Sequence, residues 1–181
     1  MEYLWQYESP VGWIHLASDG EALIGLWIEG QKYFSETLGE AVQGVCLPVF
    51  EKTAAWLDAY FAGKQPAILG PQAPKLAPHG SEFRQMVWQI LCEIPYGGLT
   101  TYGAIARRIA EKTGKSTMSA QAVGGAVGHN PISIIIPCHR VVGSGGSLTG
   151  YAGGLDKKIQ LLTLEGADMA GLYRPKKGTA L

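Results

Sequence analysis

The chain has 181 residues, 46% of them apolar, which is enough to build the core of one domain or of two small ones. No apolar run approaches the roughly 18 residues that a membrane helix requires, and the first residues lack the basic and apolar regions of a signal peptide. The composition therefore predicts a soluble cytoplasmic protein without membrane contact.

The formal charges cancel, with 15 Lys and Arg against 15 Asp and Glu, but they are unevenly distributed. Residues 1–79 carry four basic and nine acidic residues, a balance of −5, whereas residues 80–181 carry eleven basic and six acidic residues, a balance of +5. The asymmetry predicts that the C-terminal half faces an anionic partner. Chance distribution is the alternative that the charges alone leave open.

The first 79 residues have the pattern of a small sheet followed by one helix. YLWQYES and GWIHLAS alternate apolar and polar residues, and Asp19-Gly20 is a hairpin signal before EALIGLWI, so we expect an antiparallel sheet. PVFEKTAAWLDAYFAG places Phe50, Ala54, Leu57 and Phe61 at helical spacing, which predicts a helix that covers the sheet. A proline-rich segment from about residue 65 predicts a linker, so the expected domains are 1–79 and 80–181.

The second half has a helical pattern. Ser81 is placed to cap SEFRQMVWQILCEI, AIARRIAEKTG closes at Gly114, and STMSAQAVGGAVGHN gives another short helix; together the last two predict a helix-turn-helix. The final helix of that pair has almost no side-chain volume, which indicates either tight packing in the core or close approach of a ligand. LDKKIQLLTLEG predicts a last helix ending at Gly166, and the last dozen residues, including Lys177, are expected to fray.

Three cysteines, Cys46, Cys92 and Cys138, form no CxxC pair, so no disulfide framework and no metal site are expected, and no cofactor is implied. Cys138 lies in IIIPCHRV, beside His139 and Arg140. Adjacent cations favour the thiolate, and Pro137 predicts an extended turn that presents the thiol. A buried packing cysteine is the alternative.

On an extended segment, neighbouring side chains point to opposite sides, so His139 is expected to reach Cys138 through a water rather than directly. A third group must then orient the imidazole. Glu165 is the candidate, because a carboxylate at the C-terminal end of a helix is unfavourable unless a partner elsewhere compensates. Asn130 either holds the turn by its amide or only ends the preceding helix.

The run Pro137–Val141, the Gly-Tyr-x-Gly-Gly stretch at 150–154 and the Glu165-Gly166 pair resemble the alkylguanine-DNA alkyltransferase family, closely over residues 80–167. The resemblance implies an α+β fold: a small N-terminal antiparallel sheet with a covering helix, ribonuclease-H-like, and a mainly helical C-terminal winged helix-turn-helix-like domain. It implies a single-turnover transferase that moves a methyl or larger alkyl group from 6-O-alkylguanine in DNA to Cys138 and is inactivated. Whether 4-O-alkylthymine is also a substrate is left open.

The family's roles can be carried over to matching positions. Cys138 would be the nucleophile, His139 the water-mediated base, and Glu165 the group that orients it. Asn130 would brace the turn, and Tyr102 would donate a proton to the departing guanine. The positions expected to contact the substrate or DNA are Arg84, Gln121, Ala122, Gly125, Arg140, Val141 and Ala152.

The implied partner is double-stranded DNA with an alkylated base, bound by a monomer through the minor groove, which would associate the protein with the nucleoid in a bacterium. Gln121 departs from the family, which often has an arginine there that fills the space of the extruded base. The rival interpretations are a module that binds alkylated DNA without transfer and a cysteine hydrolase.

Overall fold

The computed structural model describes residues 1–176, and their contacts form two compact units. The first unit contains Met1–His79 together with Pro131–Ile135, and the second contains Gly80–Asn130 and, of the described chain, residues 136–176. The short insert belongs to the first unit because it pairs with a strand there. Leu26 N donates to Pro131 O at 2.8 Å, and Ser133 N donates to Leu26 O at 2.9 Å.

The first unit is built on a four-stranded sheet of β1 (Glu2–Ser9), β2 (Gly12–Ser18), β3 (Leu23–Ile28) and β4 (Ala41–Gln43), in the order β3-β2-β1-β4. The first three strands are antiparallel, and the expected turn is present: Asp19 Oδ1 accepts from the backbone of Glu21 and Ala22 at 2.9 and 2.8 Å. Strand β4 pairs parallel with β1. The predicted antiparallel arrangement is confirmed for β1, β2 and β3. The unpredicted β4 makes the sheet mixed, and its three residues are too few to give an alternating pattern in the sequence.

Helix α1 (Pro48–Phe61) begins with a proline at its first turn, where no amide donor is needed. It covers one face of the sheet, and Trp5 stacks on Phe50 with ring centroids 6.4 Å apart. The buried side chains of the helix are Val49, Phe50, Thr53, Trp56, Leu57 and Tyr60. The predicted helix is confirmed, but its apolar face is centred on Trp56 and Tyr60 rather than on Ala54 and Phe61.

The second unit contains α2 (Glu82–Leu91), β5 (Thr100–Thr101), α3 (Tyr102–Thr113), α4 (Ala120–Gly128), β6 (Val141–Val142) and α5 (Leu155–Leu164). The expected capping residues are in place. The Ser81 hydroxyl accepts from Arg84 N, and Gly114 ends α3 in the left-handed conformation at φ 65°. Strands β5 and β6 pair in parallel, which ties the start of α3 to the segment after Cys138. The predicted α+β fold is confirmed.

The C-terminal segment is tied down as far as Tyr173. The backbone N of Tyr173 donates to Gly146 O, and the carbonyl of Tyr173 accepts from Leu148 N, both at 3.0 Å. Fraying therefore does not begin at residue 170 as expected, and Lys177 lies outside the described residues. In the described part of the chain, no helix is long and apolar enough to cross a membrane.

Candidate active site

Cys138 begins a short 3₁₀ turn, Cys138–Arg140, that leads directly into β6. Its backbone N donates to Ile136 O at 2.8 Å, and Arg140 N donates to Pro137 O at 3.1 Å. The Cys138 residue is only 3% exposed. The expectation of an extended turn with a presented thiol was wrong, because the tight turn keeps the sulfur inside the second unit.

A strained residue precedes this turn. Ile134 has φ 68°, in the left-handed region that β-branched residues avoid at a cost of about 1–3 kcal/mol. Nothing in the apolar run IIIPC signals such a conformation, since an isoleucine run is typical of an extended strand.

Asn130 contacts the segment that leads into the turn at Cys138. The side chain is buried, and its Nδ2 donates to Ile136 O at 2.8 Å, the carbonyl that also accepts from Cys138 N. Burial raises the pKa of the Cys138 thiol, and a hydrogen bond with Asn130 opposes this rise. Asn130 therefore does not only follow α4, because its side chain contacts both the Ile136 carbonyl and the Cys138 thiol.

His139 and Glu165 form a buried pair. His139 Nε2 lies 2.6 Å from Glu165 Oε1, and neither side chain is exposed. Glu165 follows α5 directly, and its carboxylate also accepts from Gly97 N at 3.1 Å. The compensating partner that its position at a helix C-terminus required is thus present.

Arg140 is the second partner of Glu165. Its Nε lies 2.8 Å from Oε2 and its Nη2 lies 2.9 Å from Oε1, while Nη1 donates to Ile94 O at 2.6 Å. The arginine is only 4% exposed. The prediction that Arg140 contacts the substrate or DNA was wrong, because all three guanidinium nitrogens form hydrogen bonds inside the protein. The planar guanidinium suits this role, since two of its N–H groups can bond to one carboxylate in parallel.

These contacts settle the protonation of the pair. Burial alone would raise the pKa of the Glu165 carboxyl, but hydrogen bonds from His139 and Arg140 lower it well below its usual value, so the carboxylate is ionised. Burial lowers the pKa of His139, with the positive charges of Arg140 and Lys158 acting in the same direction and Glu165 opposing them. A neutral imidazole that donates through Nε2 has its lone pair on Nδ1, and this buried atom has no hydrogen-bond partner among the described residues. His139 can therefore accept a proton at Nδ1.

Tyr102 is the first residue of α3, and its ring lies against α4. Its hydroxyl donates to Thr149 O at 3.0 Å and Gly150 O at 3.1 Å. Burial raises the pKa of this phenol, and the nearby Cys138 raises it further, so it remains a proton donor at neutral pH.

Lys158, which the sequence reasoning missed, completes the site. It is fully buried on α5, and its Nζ donates to Val141 O at 2.5 Å and to Thr149 O at 3.0 Å. Burial lowers its pKa to about 8, while the Cys138 thiolate acts in the opposite direction. A signal was available in the sequence, because Lys158 lies three residues after Leu155 and four before Leu162, inside the apolar face of the helix.

The remaining predicted contact residues fall into two groups. Val141 and Ala152 are buried beside the turn, whereas Gln121 and Ala122 are exposed in the first turn of α4, and Arg84 is partly exposed. A Cβ built on Gly125 would meet nothing within 4 Å. Tight packing therefore does not explain the glycine at that position, and close approach of a ligand is the alternative that remains.

Two family models match the chain: the DNA binding domain of 6-O-methylguanine DNA methyltransferase over residues 82–167, and its ribonuclease-like domain over residues 3–70. A methylated-DNA–protein-cysteine methyltransferase of Haemophilus influenzae is 43% identical over 163 residues, covering 90% of this chain and 86% of the relative. A protein of the same name from Methanosarcina acetivorans is 41% identical over 175 residues, covering 89% and 96%.

Solved structures of methyltransferases also match this chain over most of its length. A Mycobacterium tuberculosis OGT in complex with DNA matches with a TM-score of 0.74 at 39% identity, covering 90% of this chain and 92% of that one. The O6-methylguanine methyltransferase of the same organism matches with a TM-score of 0.72 at 39% identity, covering 98% and 97%. The chain belongs to the 6-O-methylguanine DNA methyltransferase family.

Proposed function

We propose that the protein repairs DNA by direct reversal, transferring an alkyl group from 6-O-alkylguanine to Cys138. The observation that supports this function most is that the buried Cys138 is followed in the same turn by His139, whose Nε2 is paired with Glu165 and whose Nδ1 has no hydrogen-bond partner among the described residues. The family membership supplies the substrate class: its relatives are named methylated-DNA–protein-cysteine methyltransferases.

In the proposed reaction, the thiol proton passes through a water to His139 Nδ1, and Glu165 holds the resulting imidazolium. The sulfur attacks the alkyl carbon, so that a C–S bond forms as the bond from that carbon to the guanine oxygen breaks. The Tyr102 hydroxyl provides a proton for the departing guanine, whose negative charge would otherwise oppose departure. The product is a thioether, so each protein molecule reacts once.

The base must leave the duplex for this reaction, because the buried sulfur cannot reach a stacked purine. We place α4 in the minor groove, which is only about 6 Å wide and would admit a helix with small outward-facing residues. The open space beside Gly125 and the exposure of Gln121 and Ala122 support this placement. One protein molecule per lesion suffices, so we expect a monomer.

The test is intact mass spectrometry after incubation with excess O6-benzylguanine, followed by peptide mapping. We expect a single benzyl adduct on Cys138 and no further product release, with no adduct in Cys138→Ser. Cys46 and Cys92 are internal controls, since they should stay unmodified. An intact mass without any adduct would indicate a module that only binds alkylated DNA, and continued release of free guanine would indicate a hydrolase.

A further inference from the structure

The buried charges around Cys138 do not cancel. Arg140 and Glu165 neutralise each other through two hydrogen bonds, and His139 is neutral because burial lowers its pKa. This leaves the ammonium group of Lys158, which is also fully buried. Within residues 1–176 its hydrogen-bond partners are two backbone carbonyls, and it forms no ion pair with a carboxylate. An unpaired buried cation is costly, so its position requires an explanation.

The anion that can neutralise Lys158 is the Cys138 thiolate. Burial raises the pKa of the Cys138 thiol and lowers the pKa of Lys158. The ammonium charge opposes the first shift and a thiolate at Cys138 opposes the second, so each ionised group favours the other. The other titratable groups at this point are His139, which Lys158 helps to keep neutral, Tyr102, whose hydroxyl shares the Thr149 carbonyl, and the mutually paired Arg140 and Glu165.

Lys158 also joins two segments that flank the site. It binds the carbonyl of Val141, three residues after the nucleophile, and the carbonyl of Thr149, to which Tyr102 also donates. A change at Lys158 would therefore alter both the electrostatic environment of the sulfur and the position of the proton donor.

We propose that Lys158 is a positioning residue for alkyl transfer: its buried charge stabilises Cys138 as the thiolate, and its hydrogen bonds hold the Val141 and Thr149 carbonyls in place. The alkyl-transfer part of this statement rests on the proposed function. The charge effect on the thiol is independent of any substrate, and so it can be measured even if that function fails.

The test compares Lys158→Met with Lys157→Met, a matched loss of charge one residue earlier on the same helix. The rate of iodoacetamide reaction at Cys138 is followed by peptide mass from about pH 6 to about pH 10, and the rate with O6-benzylguanine is measured in parallel. For Lys158→Met we expect the iodoacetamide midpoint to rise by about one pH unit and both rates at neutral pH to fall about tenfold. Lys157→Met should match the unmodified protein, and Lys158→Arg should recover part of the loss because it keeps the charge.

An unchanged iodoacetamide midpoint in a folded Lys158→Met would overturn the proposal, since loss of packing alone slows the reaction without moving the midpoint. A failure of benzylguanine to react with the unmodified protein, with the midpoint still displaced in Lys158→Met, would instead reject the function and retain the charge effect.

If Lys158→Met does not fold, the same coupling can be read without substituting the lysine. The pKa of Lys158 is measured by NMR of its side chain in the unmodified protein and in Cys138→Ser. We expect a lower lysine pKa in Cys138→Ser, because the thiolate that favours the ammonium is gone. Equal values in the two proteins would refute the proposal.

Discussion

His139 Nε2 and Glu165 Oε1 lie 2.6 Å apart, in a pair from which solvent is excluded on both sides. The contact fixes which imidazole nitrogen carries the proton, and therefore which one can accept another. In the proposed reaction Glu165 is thus a positioning residue, because it holds the imidazole of His139 so that Nδ1 stays available to accept a proton.

The first prediction concerns the removal of that carboxylate. Glu165→Gln should lower the free energy of unfolding by about 3–5 kcal/mol, because it leaves the buried Arg140 without its counter-charge. Alkylation of Cys138 by benzylguanine should slow as well. Urea denaturation and the alkylation rate are the measurements. The control is Glu93→Gln, which breaks an exposed ion pair with Arg108 and should cost less than about 1 kcal/mol.

Arg140→Lys discriminates between a DNA contact and an internal clamp. A lysine could still bind a phosphate, but it cannot make two parallel bonds to Glu165 and a third to Ile94 O. We expect a loss of about 2–4 kcal/mol of stability in the absence of DNA. Arg107→Lys, on the exposed side of α3, should change stability by less than about 0.5 kcal/mol. An unchanged free energy of unfolding for Arg140→Lys would contradict the internal role and favour a DNA contact for Arg140.

Larger residues at position 125 should be tolerated by the folded protein but should weaken its binding to DNA. Gly125→Ala fills open space in a helix and should raise the free energy of unfolding by about 0.5–1 kcal/mol. Gly125→Leu should leave the free protein folded and reactive with benzylguanine, yet weaken its binding to duplex DNA, because the larger side chain would occupy the space between helix and groove. Equal DNA affinity of the leucine variant, measured by fluorescence anisotropy, would argue against α4 as the groove-facing helix.

Gln121 is exposed near the start of α4, at the position where the family resemblance implies an arginine. Gln121→Arg should tighten binding to duplex DNA by about 1 kcal/mol, or about fivefold, because a guanidinium adds charge and a planar stacking surface. The control is Gln160→Arg on the exposed side of α5, which adds the same charge elsewhere. A salt titration of DNA binding by both variants separates a local effect at position 121 from a general effect of the added charge. An equal gain in DNA affinity for Gln160→Arg and Gln121→Arg would contradict the local effect.

The stability of the protein should also fall as the pH drops below about 6.5. The pKa of His139 is lowered in the folded state, so the unfolded chain takes up a proton at a higher pH than the folded one, and stability is lost as pH falls through the unfolded value. The limiting slope is about 1.4 kcal/mol per pH unit. Urea denaturation at several pH values above about 4.5 measures it before Glu165 contributes. His139→Gln should remove this component, and an equal slope in that variant would contradict the assignment.

Local signals in the sequence anticipated much of the site. The motif and the unfavourable place of a carboxylate at a helix end single out Cys138, His139 and Glu165 in the sequence, and in the structure His139 pairs with Glu165. Ser81 and Gly114 were identified as caps because capping depends on residues within one turn of each other.

Other features depend on partners far along the chain. Arg140 bonds to a carboxylate 25 residues away, and Lys158 to a carbonyl 17 residues away. Periodicity can place Lys158 on an apolar face, but it cannot say which carbonyls meet it there.

The sequence by itself determined the nucleophile, the helices and the family resemblance, because each rests on residue type and on spacing along the chain. Only the tertiary structure decided that the thiol is buried, that Arg140 pairs with Glu165 inside the protein, and that Lys158 is buried against the carbonyls of Val141 and Thr149. The physical reason is that burial and charge pairing are properties of three-dimensional neighbours, and a charged residue has the same sequence signature whether it faces water, a phosphate or a buried carboxylate.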